Sequence, residues 1–352
     1  MQQAQRADKG NRPRTKNYAI DCLSFPSEQI SEDATTGHDS YSVAGCPISV
    51  NMNNMIRLAN IPSAVLPPKD KTYKTADEWY VALAEMHIAQ LVFQHNDLVL
   101  TPDDCRNKYV ARQVFWRLAR KGRLSTFGFA DDDWSAQSTR QRSRLSPAPN
   151  EPDSFRLWCD DLRAGNILLN KDDSIAAIID WEFSYAGPAQ FAFDPPWWLL
   201  LEQPERWPDG VDKWREVYDR RVKTWLGAME KAEERVGVNA GPSRLSTYMR
   251  ESWETGRFWL NYAARKSWAF DSIYWKYLDE RFFGKRGNNV QNHELWKARL
   301  DLLTDKERMA MEPFVEKKMM ELKDRILIDW DPENAKSCLA EVLVETNEYM
   351  RA

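Results

Sequence analysis

Trp158-Cys159-Asp160-Asp161-Leu162-Arg163-Ala164-Gly165-Asn166-Ile167-Leu168-Leu169, followed by Ile178-Ile179-Asp180-Trp181-Glu182, is the stretch on which the fold turns. Ile167 to Leu169 and Ile175 to Ile179 are short apolar runs rich in β-branched residues. Asn170-Lys171-Asp172-Asp173-Ser174 between them has the composition of a turn, so the stretch predicts a β-hairpin. The hairpin sets Asn166 just before its first strand and Asp180 at the exit of its second. Both side chains can then converge on one ion.

That layout suits phosphoryl transfer, which asks little covalent chemistry of a protein. It needs a base or orienter for the attacking hydroxyl, oxygen ligands for Mg²⁺, and positive charge near the moving phosphate. Asp161 is suited to accept the hydroxyl proton. Asn166 and Asp180 are hard oxygen ligands of the kind Mg²⁺ prefers. Arg163, between them, can offer its planar fork to a phosphate oxygen. Any one of these aspartates taken alone reads better as a loop cap or a strand end in solvent. The order D-x-x-x-x-N, hairpin, I-I-D-W-E tips the reading to a phosphotransferase site.

The same residues resemble the aminoglycoside phosphotransferase and choline kinase-like family, a branch of the protein-kinase-like fold. That family's loop reads H-G-D-x-x-x-x-N and its metal strand ends in I-D-W-E. By the resemblance, Asp161 falls on the catalytic aspartate, Asn166 on the metal-binding asparagine of the loop and Asp180 on the second metal ligand. Cys159 stands where the family has histidine, largely a packing position, and Asp160 where it has glycine. The wider match is to a fungal subgroup. It is carried by Gly45-Cys46-Pro47-Ile48 with Asn51-Met52-Asn53, by Cys105 to Arg112, by Asp194-Pro195-Pro196-Trp197-Trp198 and by Ser252 to Phe258, and it spans about residues 23–330. The resemblance implies Mg²⁺ and ATP (or another NTP) as cofactors and a hydroxyl-bearing small molecule as acceptor.

A kinase-like enzyme also needs a nucleotide lobe of several strands, with a phosphate-covering loop and a strand lysine. The region before residue 50 is short for one and shows no G-x-G-x-x-G; Gly10, Gly37 and Gly45 are the only glycines before Gly122. Lys9, Lys16 and Lys71 lack the strand context of such a lysine. Two functions therefore stay open: an Mg-ATP-dependent phosphotransferase, or a catalytically impaired kinase-like binding protein or truncated gene product without that lobe. Acidic residues on the helical half would suit a cationic acceptor such as choline or an aminocyclitol; the acceptor itself stays open.

Composition bounds the rest. The chain has 352 residues, 43% of them hydrophobic, with 16 Trp, enough for a substantial core. A net charge of −4 gives no basic field for nucleic acid. The clusters Arg117 to Arg123 and Arg140 to Arg144 read as a solvated helix end and a charged loop. The cysteines Cys22, Cys46, Cys105, Cys159 and Cys338 are odd in number and show no C-x-x-C, which fits a reduced compartment. No apolar run reaches membrane-spanning length, so no membrane partner is expected. The basic, polar N-terminus lacks the apolar segment of a signal peptide. A cytoplasmic location is expected, with mitochondrial import left open by the Arg-rich start. The oligomeric state is not legible.

Along the chain, residues 1–40 read as an irregular N-terminal segment, 41–330 as the large lobe and 331–352 as a C-terminal helix or tail. Helices are expected near Val50 to Asn60, from Thr75 to Val99 with a capping box at Thr75 and Glu78, and after Thr101 with Pro102 in the first turn. Residues 135–153 read as a flexible insertion and Asp131-Asp132-Asp133 as a solvated loop. His87 and His95, two turns apart, read as packed or surface histidines because no third ligand lies near. Beyond Asp180 the windows Val211 to Val236, Ser243 to Ser267, Asp271 to Phe283, Asn292 to Leu303, Asp305 to Ile328 and Pro332 to Met350 read as helices. Trp253, Phe258, Trp259 and Tyr262 read as core. The expected fold class is α+β and mainly helical, the large (C-terminal) lobe of a protein-kinase-like fold with a small β-hairpin at the active site.

Overall fold

Thr75 and Thr101 each start a helix in the way their sequence predicts. The Thr75 hydroxyl accepts from Glu78 N at 3.2 Å and the Thr101 hydroxyl from Asp104 N at 3.1 Å. The answering carboxylates reach one residue further back than a capping box requires. Glu78 accepts from Lys74 N at 2.7 Å, and Asp104 from Leu100 N at 2.9 Å. Each cap satisfies orphan donors of the first turn, and its loss typically costs about 1 kcal/mol.

The structure, a computed structural model, describes residues 18–21, 41–44, 49–68, 71–95, 98–138, 144–149, 155–238, 244–287, 290–324 and 328–343. It is α+β and mainly helical. Strands β1 (Tyr18–Asp21), within the segment the sequence reads as irregular, and β2 (Tyr41–Ala44), at the start of the expected large lobe, pair in parallel. Helices α1 (Val50–Arg57), α2 (Ala76–Phe93) and α3 (Pro102–Arg120) follow. Then come β3 (Phe155–Cys159), the hairpin β4 (Ile167–Leu169) and β5 (Ile175–Ile178), β6 (Ser184–Pro188) and the short α4 (Ala189–Ala192). The remainder is α5 (Gly210–Arg235), α6 (Leu245–Thr255), α7 (Arg257–Arg265), α8 (Ser267–Ile273), α9 (Asp279–Phe283), α10 (Asp305–Asp324) and α11 (Pro332–Val342).

Helix α2 is the centre of the fold, touching α3, α7, α8, α11 and β6. Fourteen of its 18 residues are buried, which leaves only the narrow stripe of Asp77, Glu78, Val81 and Glu85 to reach water. Trp79 of α2, Trp214 of α5 and Trp259 of α7 lie fully inside the core. Trp253, Phe258, Trp259 and Tyr262 pack on one another and on Tyr218, which makes them core as their spacing predicts. His87 is also core. Its Nε2–H donates to Ala264 O at 3.1 Å, and burial lowers its pKa to about 3. His95 instead faces Glu321 at 3.8 Å.

Several helical expectations need correction. The window Ser243 to Ser267 breaks at Gly256, whose φ of +86° stops α6 and starts α7. Asp271 to Phe283 belongs to a longer run, in which Tyr274–Leu278 takes a π-helical turn between α8 and α9. Leu295–Leu302 is 3₁₀ rather than α, held back onto α3 by Trp296 N donating to Asn107 Oδ1 at 2.8 Å. The described part of the expected insertion is packed, not free. Glu251 accepts from Ser146 N through both oxygens at 3.1 Å, and Ala148 N donates to Asp131 Oδ2 at 2.6 Å. Asp132 is buried, capping its own turn through Gly128 N and Ser135. Arg117 pairs with Glu307 rather than pointing into water. Cys105 and Cys159 are buried free thiols and Cys338 is half-buried; Cys22, Cys46, residues 140–143 of the basic loop and residues 344–352 lie outside the described residues. Among the described residues no helix is long and apolar enough to cross a membrane.

Candidate active site

The loop that bears Asp161 hangs from the β3–β6 pair. These strands run antiparallel with Trp158 opposite Tyr185 and Cys159 opposite Ser184. The chain then turns at Asp160, whose backbone N–H donates to Phe183 O at 3.2 Å. The Asp160 carboxylate is 6% exposed and fully engaged. Trp158 Nε1 donates to it at 2.7 Å, Tyr185 OH at 3.3 Å and Val50 N, at the start of α1, at 3.3 Å. Burial first, then the neighbouring Asp160 charge, raises the Tyr185 phenol well above its usual pKa, which keeps it a donor. Arg265, at the end of α7, lies 3.8 Å from the same carboxylate and stacks over the Trp158 ring at 4.3 Å. Asp160 thus ties α1, β3, β6 and α7 to one point. It is the anchor of the loop, and sequence reading passed over it for its neighbour.

Downstream of that anchor, a hydrogen-bonded circuit joins the three candidate residues. Asn166 is buried and donates through Nδ2 to Asp161 O at 2.9 Å. Asn166 O accepts from Ile179 N at 3.0 Å. Asp180 O accepts from the Cys159 thiol at 3.8 Å, an ordinary distance for sulfur. Asp161, Asn166 and Asp180 therefore adjoin one another through backbone and amide bonds, as the hairpin geometry anticipates. The hairpin itself forms with Ile167 opposite Ile178, closed by Asn170 N donating to Ser174 O at 2.8 Å and by Asp173 at positive φ. Its apolar side chains are less buried than an apolar strand leads one to expect. Leu168, Leu169 and Ile175 stand exposed, as does Leu157 on β3.

What the circuit leaves free is the chemistry. With Nδ2 of Asn166 held by Asp161 O, its carbonyl oxygen Oδ1 has no partner among the described residues. The Asp180 carboxylate is exposed and likewise unpartnered there. Asp180 has φ of +63°. A non-glycine residue in this region is uncommon and marks either a turn or a site, and Asp is among the residues that tolerate it. Asp161 is half-buried. Arg163 folds back towards it, with Nε 3.8 Å from Oδ1, in a pair exposed enough to be worth little in stability. Two unpartnered hard oxygen donors beside a carboxylate fit Mg²⁺ by donor type. A second acidic group, Asp103, His293 and Glu294, brings ligand atoms within 4.8 Å of one another. Asp103 is already taken by Arg106 at 2.9 Å and Trp296 at 3.2 Å, and Glu294 by Lys297.

Sequence reading missed Asp160, Arg265 and the cationic residues that adjoin them. Nothing local could have flagged Arg265, which sits at a helix end among alanines and meets Asp160 only through the fold. Asp160 did carry a signal: an acidic residue directly before the catalytic candidate, after a Trp and a Cys. No family model matches this chain, and no curated protein or solved structure matches it.

Proposed function

We propose that the protein is a small-molecule phosphotransferase of the aminoglycoside phosphotransferase and choline kinase-like kind, built on the large lobe of a protein-kinase-like fold. The observation that carries this reading is the circuit through Asp161, Asn166, Ile179 and Asp180. It unites the acid–base candidate with two oxygen donors that have no other partner among the described residues. Asp161 orients the acceptor hydroxyl and takes its proton as the oxygen forms its new bond to the terminal phosphorus of a nucleoside triphosphate. The bond from that phosphorus to the bridging oxygen breaks, and the electron pair leaves on the diphosphate. Asn166 Oδ1 and the Asp180 carboxylate would hold Mg²⁺, which when bound neutralises phosphate charge. Arg163, exposed beside Asp161, can swing to the phosphate without giving up a strong contact.

The test is a nucleotide titration read by thermal shift, with and without Mg²⁺, on wild type and Asp180→Ala, followed by transfer assays. Mg-ATP should raise the melting temperature of wild type and not of D180A. Asp161→Asn should lower the transfer rate by about 10²–10⁴-fold. If Mg-ATP neither shifts melting nor is hydrolysed or transferred, the protein is instead a kinase-like binding protein without turnover.

A further inference from the structure

A cleft of about 320 Å³ opens on the α1 side of the Asp160 anchor, near the lower end of the size of small-molecule sites. Its charged lining is Asp160, Glu205, Arg206, Arg265 and Lys266, with Trp268 at one wall. The two acids are occupied. Asp160 takes three hydrogen bonds from Trp158, Tyr185 and Val50, and Glu205 accepts from Tyr262 OH at 2.9 Å. The cations keep donors to spare, Arg265 even though its guanidinium lies 3.8 Å from Asp160. Arg265 is 5% exposed, and its Nε is buried without a hydrogen-bond partner among the described residues. Lys266 Nζ lies over the rings of Trp197 at 5.1 Å and Tyr262 at 5.4 Å. Among the described residues neither it nor the exposed Arg206 has an ion-pair or hydrogen-bond partner. Burial lowers the Lys266 pKa, while Glu205, Asp160 and, more weakly, Asp161 act to raise it, so the ammonium lies within the field of the candidate catalytic loop.

A desolvated ammonium and a guanidinium with an orphaned N–H are costly unless something negative completes them. The lining sets three cations against two carboxylates, an excess of one positive charge, and both carboxylates already accept hydrogen bonds, so an anion fits it better than a cation. We propose that this cleft receives the acceptor of the phosphotransferase reading, on which the inference rests, and that the acceptor is an anionic polyol: a small hydroxylated molecule bearing a carboxylate or phosphate held by Lys266, Arg265 and Arg206. Asn54 and Gln203 also line the cleft, and their side chains carry amides that can take up hydroxyls. Asp161, the next residue after Asp160, is outside the lining but acts electrostatically on Lys266, so the cleft lies beside the residue that would take the hydroxyl proton. The sequence leaves the acceptor open, and of its alternatives this cleft favours an anion over a cation such as choline.

Isothermal titration of the full chain, without nucleotide, tests it with four probes: glycerol 3-phosphate, glycerate, inorganic phosphate and choline. Glycerol 3-phosphate or glycerate should bind, and whichever binds more tightly distinguishes a phosphate from a carboxylate site. Lys266→Met should weaken that binding at least about tenfold, the loss of one charge-assisted contact. Arg206→Gln, at an exposed position, should weaken it without touching the fold, which circular dichroism checks. The proposal is overturned if choline binds and the anions do not. It is also overturned if both variants bind the anions as wild type does, or if inorganic phosphate binds as tightly as the hydroxylated probes. Anion binding that holds while no probe is ever phosphorylated refutes the phosphotransferase reading and leaves the anion site standing.

Discussion

Replacing Asp180 by glycine separates a residue kept for the fold from one kept for a ligand. Asp180 has φ of +63°, a conformation that costs an L side chain roughly 1–2 kcal/mol and a small polar one somewhat less. Glycine escapes that cost, but it loosens the unfolded chain by about 0.5–1 kcal/mol. The carboxylate is exposed and unpartnered among the described residues, so its removal forfeits no contact with them. The bond from the Cys159 thiol to the residue-180 carbonyl survives the change. The balance places Asp180→Gly between wild type and about 1 kcal/mol more stable. Asp180→Val, a β-branched residue forced into the same φ, should lose about 1–2 kcal/mol. Urea unfolding measures both, read as a shift of midpoint at constant slope. Under the proposed function, stabilisation by Mg-nucleotide should also vanish in the glycine variant. A loss of more than about 1 kcal/mol in Asp180→Gly would refute the reasoning, because the side chain would then be supporting the fold it was argued only to burden.

Other sites give independent checks. His87 is neutral in the folded protein with a pKa near 3 against about 6.5 unfolded, so its contribution is full above 6.5 and is lost as pH falls towards 3; from about pH 7 to about pH 5, wild type should lose about 2 kcal/mol that His87→Gln does not, by urea titration at each pH. Gly256→Ala should lose about 1–2 kcal/mol in the same assay, since φ is +86° and a Cβ would sit 3.0 Å from Arg281 Cδ. Asp160→Asn removes the carboxylate ion-paired with buried Arg265 and should cost about 3 kcal/mol by urea unfolding; an unchanged midpoint would show that Asp160 is not the anchor.

The elements that proved legible are those whose cause is local. Thr75 and Thr101 announce their helices because a cap is settled within four residues. The hairpin is announced by β-branched runs around Asn170 to Ser174, since a turn closes on itself through Asn170 N to Ser174 O. Gly256 was illegible as a break because one glycine inside a good helical pattern is ordinarily tolerated. The break lies in its φ of +86°, and the packing of Arg281 against it leaves no room for a side chain, both set by the fold. The 3₁₀ turn at Leu295–Leu302 depends on Asn107 of α3, and the ordering of Ser146 on Glu251 of α6, both remote in sequence.

The candidate site divides along the same line. From the sequence alone come the candidates Asp161, Asn166 and Asp180, spaced by one loop and one hairpin whose geometry follows from short-range preferences. The tertiary structure alone decided what surrounds them. It made Asp160 an anchor, left Asn166 Oδ1 and Asp180 without partners among the described residues, and brought Arg206, Arg265 and Lys266 to one cleft beside the loop. Arg206 and the consecutive pair Arg265-Lys266 come from segments joined only by burial of the helical core. Burial depends on the whole packing of α1, α7 and the chain around Glu205, and no local pattern encodes it.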